Sequence, residues 1–332
     1  MRLRGIEWGN VFNSAGGRSF FGEGYWWHSL AAWCGLRYAG STFVAKTTTL
    51  LPRKGNMPLD DGQQPMALRP DCIVVKPLAG VVLNAVGLSG PGIRVLMDRW
   101  REDNRKDHRK GRRPRQMVVS YMAVEGTPRD RISEASSFFT LLEPFVQANG
   151  TLFTALQLNF SCPNVGVDSS HLREEVAAVL DHAKRLNVPT MIKLNALVPP
   201  ELACEMAAHS ACDAVVCSNT IPWGQLKDRI DWKGLFGSDE SPIARYGGGG
   251  LSGKPLLPIV EEWIADVMRA GMTKPVVGGG GILSKRDANR LLDVGASAVE
   301  LGSVSILRPW RVAGIIRSVN RRLGPSRVED AA

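Results

Sequence analysis

A thiol flanked by amides is the part of this 332-residue chain best suited to chemistry. The stretch Gln157-Leu158-Asn159-Phe160-Ser161-Cys162-Pro163-Asn164 opens as an apolar strand and breaks into a loop at Pro163. A cysteine becomes a base or nucleophile when nearby positive charge favours its thiolate. An asparagine amide donates and accepts hydrogen bonds at once. Together they suit a flat, polar, amide-rich ligand that must give up a proton. A free cysteine buried beside a turn would show the same residue types, so the reading depends on what else the chain brings there.

Other strand-like runs end in similar residues. The β-branched run 41–49 carries Lys46 and Thr47, the run 189–194 carries Lys193, and the run 214–220 closes in Ser218-Asn219-Thr220. Glycines close three more: Ala15-Gly16-Gly17, Gly278-Gly279-Gly280-Gly281 and Gly302-Ser303. Two lysines and two asparagines at four strand ends are hard to explain as packing, because a buried strand otherwise holds Val, Ile or Leu and each buried polar group needs a partner.

The elements that must position these residues alternate. Eight strand candidates start near Val11, Phe43, Met117, Leu156, Thr190, Val215, Pro275 and Val299, with helical patterns such as 133–147, 200–208, 256–270 and 285–294 between them. Strands separated by helices pair in parallel through right-handed crossovers. Eight such units predict a (β/α)8 TIM barrel over residues 1–332, with a doubly wound sheet as the alternative. Residues 50–115 read as an excursion between barrel strands two and three. It holds a loop at 50–70, an apolar run with Asn84, Gly87 and Leu88, and a basic stretch. In a barrel the carboxyl ends of all strands face one mouth. The glycines after strands seven and eight, with the helix starting at Ser284, then predict a phosphate grip by backbone N–H groups and a helix N-terminus.

Composition narrows the class. Six scattered cysteines without a CxxC pair argue against a metal or iron–sulfur site in this chain and for a reduced, cytoplasmic setting. No metal site is expected. There is no apolar signal core at the N-terminus and no apolar run long enough to span a bilayer. No GxxxxGK[ST] loop is present, which disfavours a nucleoside triphosphatase. The net charge is +9, of which +6 falls in residues 99–115, where nine Lys or Arg meet three acids. That run reads as a solvated helix end and loop or as a contact for an anionic partner.

At these residues the chain resembles a known family. Asn159-Phe-Ser-Cys-Pro-Asn164 is similar to the NxSCPN signature of class 1 dihydroorotate dehydrogenases, FMN-containing (β/α)8 barrels that oxidise dihydroorotate to orotate in pyrimidine synthesis. The resemblance covers nearly the whole chain. Asn13-Ser-Ala-Gly16 resembles the first flavin loop, and Ala45-Lys-Thr-Thr48 the strand whose lysine lies by flavin and substrate. Asn84-Ala-Val-Gly-Leu88 resembles the segment that grips the orotate carboxylate. Ser218-Asn-Thr220 resembles the substrate asparagine of the sixth strand. Gly250-Leu-Ser-Gly253, Gly279-Gly280 and Gly302-Ser303 resemble the FMN phosphate grip.

The resemblance therefore implies FMN held by Ala15, Gly16, Lys46, Thr47, Asn159, Lys193, Ser218, Gly253, Gly279, Gly280, Gly302 and Ser303. It implies substrate held by Lys46, Asn84, Gly87, Leu88, Asn159, Asn164, Asn219 and Thr220. Cys162 is implied as the base and Lys193 as the residue steadying negative charge on the flavin. Three departures stand out: Val-Gly-Val-Asp-Ser-Ser170 lacks the proline-containing continuation after Asn164, the basic run is long, and the loop 221–249 is extended. The rivals are a dihydropyrimidine (uracil-type) dehydrogenase and a tRNA-dihydrouridine synthase, which carry other residues at Asn164 and Ser161. A flavin-binding subunit without turnover is a third, against which Cys162 and Lys193 stand. The expected partners are dihydroorotate and orotate, an electron acceptor that is either fumarate or NAD reached through an iron–sulfur subunit, and further subunits in a homodimer or hetero-oligomer. Neither membrane nor nucleic acid is expected.

Overall fold

The computed structural model describes residues 1–110, 116–124, 126–150, 154–160 and 169–324. Within them the eight expected strands form one parallel sheet: β1 (Val11–Asn13), β2 (Phe43–Val44), β3 (Met117–Tyr121), β4 (Thr154–Asn159), β5 (Thr190–Leu194), β6 (Ala214–Cys217), β7 (Val276–Gly279) and β8 (Ala298–Leu301). Each pairs with its sequence neighbours, and β8 returns to β1 with Val299 opposite Val11. A parallel bridge between Phe12 and Thr42 joins β1 to the approach of β2 and closes the barrel. It is held by Thr42 N–H donating to Val11 O at 2.7 Å and Asn13 N–H donating to Thr42 O at 3.2 Å. The fold is the (β/α)8 barrel that the alternation predicts.

Both faces of the strands are buried, which is why they read as near-continuous apolar runs. Val119, Leu156, Ile192, Val215, Val276 and Val299 face the surrounding helices. Phe12, Val44, Val118, Ala155, Met191 and Ala298 face the barrel interior. A short antiparallel hairpin, Arg2–Leu3 with Ile6–Glu7, joins that inner cluster through Leu3 and the fully buried Trp8. Trimming a tryptophan so buried costs about 3–5 kcal/mol. Two residues further along each strand, on the same inward face, the interior turns polar. Ser120 follows Val118, Gln157 follows Ala155, Lys193 follows Met191 and Glu300 follows Ala298, all four buried.

Two features differ from the sequence expectation. Gly250–Gly253, at the end of the long loop after β6, is a strand; it pairs antiparallel with Val81–Asn84, which is flanked in turn by Ile73–Lys76. The excursion after β2 is thus stitched to the long loop after β6. Glycine is required at this seam, because a Cβ on Gly253, at φ +109°, would lie 2.2 Å from Gly80 O. The second feature is a helix at Gly92–Arg109, which makes the basic run helical from Arg99 to Arg109. Its buried stripe, Ile93, Leu96, Met97 and Trp100, has helical spacing. Beyond Trp100 the charges pair along the helix, Lys106 with Glu102 at 2.7 Å and Arg101 with Asp98 at 3.0 Å. Such exposed pairs contribute only about 0.3–0.5 kcal/mol each. Arg112, Arg113 and Arg115 lie outside the described residues. Among the described residues, no helix is long and apolar enough to cross a membrane, and no cluster of metal-ligating side chains occurs.

Candidate active site

The carboxyl ends of the strands surround one cavity of about 1020 Å³. A smaller annex of about 70 Å³ adjoins it, sharing Ser14, Lys193, Asn219, Thr220, Ser252, Gly302 and Ser303. Ala15 and Gly16 after β1, Lys46 and Thr47 after β2, Asn159 on β4, Lys193 on β5, and Asn219 and Thr220 after β6 all line the large cavity. So do Asn84, Gly87 and Leu88 of the excursion, and Gly302 and Ser303 after β8. Ser218, Gly253 and Gly280 line the annex. Cys162 and Asn164 lie outside the described residues.

Gly279 directly precedes Gly280 on β7 and pairs with Glu300 of β8. It shares the inward face with Glu300, and an added Cβ would sit 3.1 Å from the Cβ and 3.3 Å from the Oε2 of Glu300. The missing side chain leaves room for that carboxylate, and Gly280 and Gly281 next to it reach the annex. The helix after Ser284 also differs from expectation. Ser284 Oγ accepts from Asp287 N–H, and the Asp287 carboxylate accepts from Leu283 N–H, so its first turn is capped from within. Ser303, which opens the Val304–Leu307 turn without a side-chain cap, is the one that lies at the annex.

The polar side chains are held by hydrogen bonds across strands. Asn219 Nδ2 donates to Asn159 Oδ1 at 2.6 Å, locking the amides of β4 and the β6 loop together. Asn195 was not anticipated as a site residue. Its Nδ2 donates to Thr220 O at 2.7 Å and its Oδ1 accepts from Leu197 N–H at 3.0 Å, fixing the loop that carries Asn219. The available signal was its place two residues after Lys193, on the same face. Lys46 is buried, donates Nζ–H to Ser89 O and lies 4.7 Å over the Phe20 ring. Burial pushes its ammonium down to about 8. Ser89 directly follows Leu88, so this lysine is tied to the Asn84–Leu88 segment.

Lys193 is almost wholly buried, and its Nζ donates to Glu300 Oε2 at 2.7 Å. The other Glu300 oxygen accepts from Gln157 Nε2 at 3.3 Å. Gln157 Oε1 accepts from Ser120 Oγ at 3.3 Å, and Ser120 lies 2.9 Å from Thr47 Oγ1. Sequence reasoning missed Glu300, although it is the one acid in an otherwise apolar strand. Burial pushes the thiols of Cys72, Cys212 and Cys217 upward, Cys212 to about 12, so none of these is tuned as a base.

Fold and site together define a (β/α)8 barrel whose mouth gathers lysines, asparagines and hydroxyls beside a glycine-lined annex. A family model described as dihydroorotate dehydrogenase matches residues 1–323, and the chain belongs to that family. Among its relatives is the dihydroorotate dehydrogenase B (NAD(+)) catalytic subunit of Cutibacterium acnes, 27% identical over 328 residues, covering 96% of this chain and 90% of the relative. The protein of the same description from Bacillus pumilus is 29% identical over 342 residues, covering 99% and 94%. A putative dihydroorotate dehydrogenase A (fumarate) of Pediococcus pentosaceus is 28% identical over 289 residues, covering 83% and 80%. The chain is an oxidoreductase that oxidises dihydroorotate to orotate in pyrimidine biosynthesis, and its family is flavin-dependent.

Proposed function

We propose that the flavin is FMN, that Cys162 is the base, and that the electrons leave through a partner subunit to NAD or directly to fumarate. The observation that carries this reading is the convergence of Lys46, Asn84, Asn159, Lys193 and Asn219 on one cavity whose annex is walled by glycines and hydroxyls. The annex is a small space of about 70 Å³ off the main cavity. Its lining of Gly280, Gly281, Gly302, Ser303 and Ser218 suits the phosphate-bearing tail of a nucleotide, because glycine lets backbone N–H groups come close. A Cβ on Gly302 would meet Ser14 Cβ at 3.1 Å, so side chains there would fill the cradle.

Bound FMN supplies the acceptor for the hydride from carbon six of dihydroorotate. The proton on carbon five needs a base within hydrogen-bond reach. Cys162 follows by two residues Phe160, whose N–H donates to Lys193 O at 3.0 Å. The linked amides of Asn159 and Asn219, with Asn84 and Asn164, orient the pyrimidine plane. Gly87 and Leu88 hold the carboxylate, and Lys46, tethered beside them, adds positive charge. Thr47 and Thr220 complete the walls, while Ala15, Gly16 and Gly253 shape the bed of the cofactor.

The relatives named as NAD(+)-type catalytic subunits and as fumarate-type enzymes support both acceptors, and a subunit partner accompanies the first. Free cysteines at Cys34, Cys72, Cys204, Cys212 and Cys217 support the cytoplasmic setting. The test is anaerobic. The purified chain should be yellow with one FMN, and dihydroorotate, but not dihydrouracil, should bleach it. Bleaching by dihydrouracil alone would assign the uracil-type reaction instead. Screening fumarate and NAD, with and without candidate subunits, identifies the acceptor.

A further inference from the structure

The buried pair beneath the cavity invites a question about charge. Lys193 and Glu300 are 2% and 3% exposed, and their charged atoms are 2.7 Å apart. Removing two charges from water costs several kcal/mol each, and well-packed apolar residues in their place are often neutral or stabilising. Stability is therefore a weak reason for the carboxylate to be there. Yet the chain builds around it. Glu300 is met from the far side by Gln157 Nε2, which Ser120 and Thr47 hold in turn, and Gly279 lacks the Cβ that would press on it. Lys193 and Glu300 both line the annex, and Lys193 also reaches the large cavity.

We infer that Glu300 is a positioning residue that fixes the Lys193 ammonium and offsets its charge, so that the floor of the flavin site is a neutral ion pair and not a lone cation. The inference rests on the reading that this cavity holds FMN. Reduction adds negative charge to a flavin, and a lone buried cation would favour the reduced form strongly. A paired cation favours it less, keeps the potential lower and makes the reduced cofactor a better donor to the next acceptor. Gln157 sets the orientation of Glu300, so the whole row from Thr47 to Lys193 defines where the ammonium points.

The test is the midpoint potential of the bound flavin, titrated at pH 7 against a reference dye in wild type, Glu300→Gln, Lys193→Gln and the double variant. Glu300→Gln should favour the reduced flavin at least tenfold, which for a two-electron couple is a rise of about 30 mV. Lys193→Gln should lower the potential by at least as much, and the double variant should return close to wild type. A role confined to packing would not produce opposite signs that cancel. FMN-loaded Glu300→Gln with an unchanged or lower potential overturns the inference and leaves the cofactor reading intact. Should Glu300→Gln fail to fold, the comparison moves to Lys193→Gln against the double variant. The double must then lie higher by at least the same tenfold preference, and equal potentials overturn the proposal. A folded wild-type chain that takes up no FMN refutes the cofactor reading and this inference with it.

Discussion

Replacing Lys46 with Met probes the electrostatics of the mouth most directly. Lys46 is only 8% exposed, and burial brings its ammonium from 10.5 to about 8. That drop corresponds to about 3 kcal/mol of charging penalty in the folded chain, at about 1.4 kcal/mol for each tenfold change in acidity. The sign follows from proton counting. Between about 8 and 10.5 the unfolded chain holds the proton and the folded chain does not, so stability rises with pH across that window. Below about 8 both forms are charged and the full penalty is present. Lys46→Met removes the penalty and also removes the bond to Ser89 O and the contact with Phe20. The ligand-free variant should therefore be more stable than wild type at pH 7, by up to about 3 kcal/mol. Binding should move the other way. Lys46 is charged in about nine chains of ten at pH 7 and about one of ten at pH 9. If its charge attracts the orotate anion, orotate affinity should fall roughly tenfold between those pH values. Lys46→Met should bind more weakly at pH 7, and its affinity should change little over the same range. Calorimetric titration of orotate at pH 7, 8 and 9, with thermal melts of the ligand-free chains, gives both quantities. Parallel pH dependence in the two proteins would refute a role for this charge in binding. A variant less stable than wild type at pH 7 would show that the Ser89 and Phe20 contacts outweigh the burial penalty.

Two further outcomes are expected. Cys162→Ala should retain FMN and orotate but slow flavin reduction by roughly 10²–10⁴-fold, the usual effect of losing a general base; Cys162→Ser should keep part of the rate with its optimum at higher pH, and stopped-flow reduction by dihydroorotate at wild-type rate in Cys162→Ala would assign the thiol to packing. Gly302→Val keeps an ordinary backbone angle but puts its side chain against Ser14, so it should weaken FMN binding by at least about tenfold with little change in Tm; a fluorescence titration of the apoprotein with FMN reads the loss.

The barrel was legible because its strands are short apolar runs buried on both faces, and because helical spacing fills the gaps between them. The antiparallel sheet was not, since Val81 pairs with Gly253 and nothing local announces a partner so far along the chain. The helix at Gly92–Arg109 was hidden by its own charges. Only its first half carries the buried stripe, and the rest is exposed or half-buried. Lys46, Lys193 and the asparagines were readable as polar residues at strand ends. Glu300 and Gln157 were not, because an acid or amide within a strand reads equally well as facing solvent. The alternation that turns them inward becomes visible only once Val118, Ala155, Met191 and Ala298 are seen to fill the layer below.

That polar layer divides the work of the two lysines. Lys193 is paired with Glu300 in a buried layer, while Lys46 sits on a backbone carbonyl with an ammonium that burial has already made easier to discharge. Two groups of the same type in one site thus carry different net charge, because among the described residues one has a carboxylate partner and the other does not. The consequence is selectivity. On the proposed reading of the site, a neutral dihydropyrimidine gains nothing from the charge on Lys46, whereas dihydroorotate would present a carboxylate to the segment where Lys46 is tied. A mouth lined by asparagines alone would bind both rings through their amide edges with similar contacts. The discrimination between them therefore rests on the carboxylate, and it should weaken as pH rises through about 8 and Lys46 loses its proton.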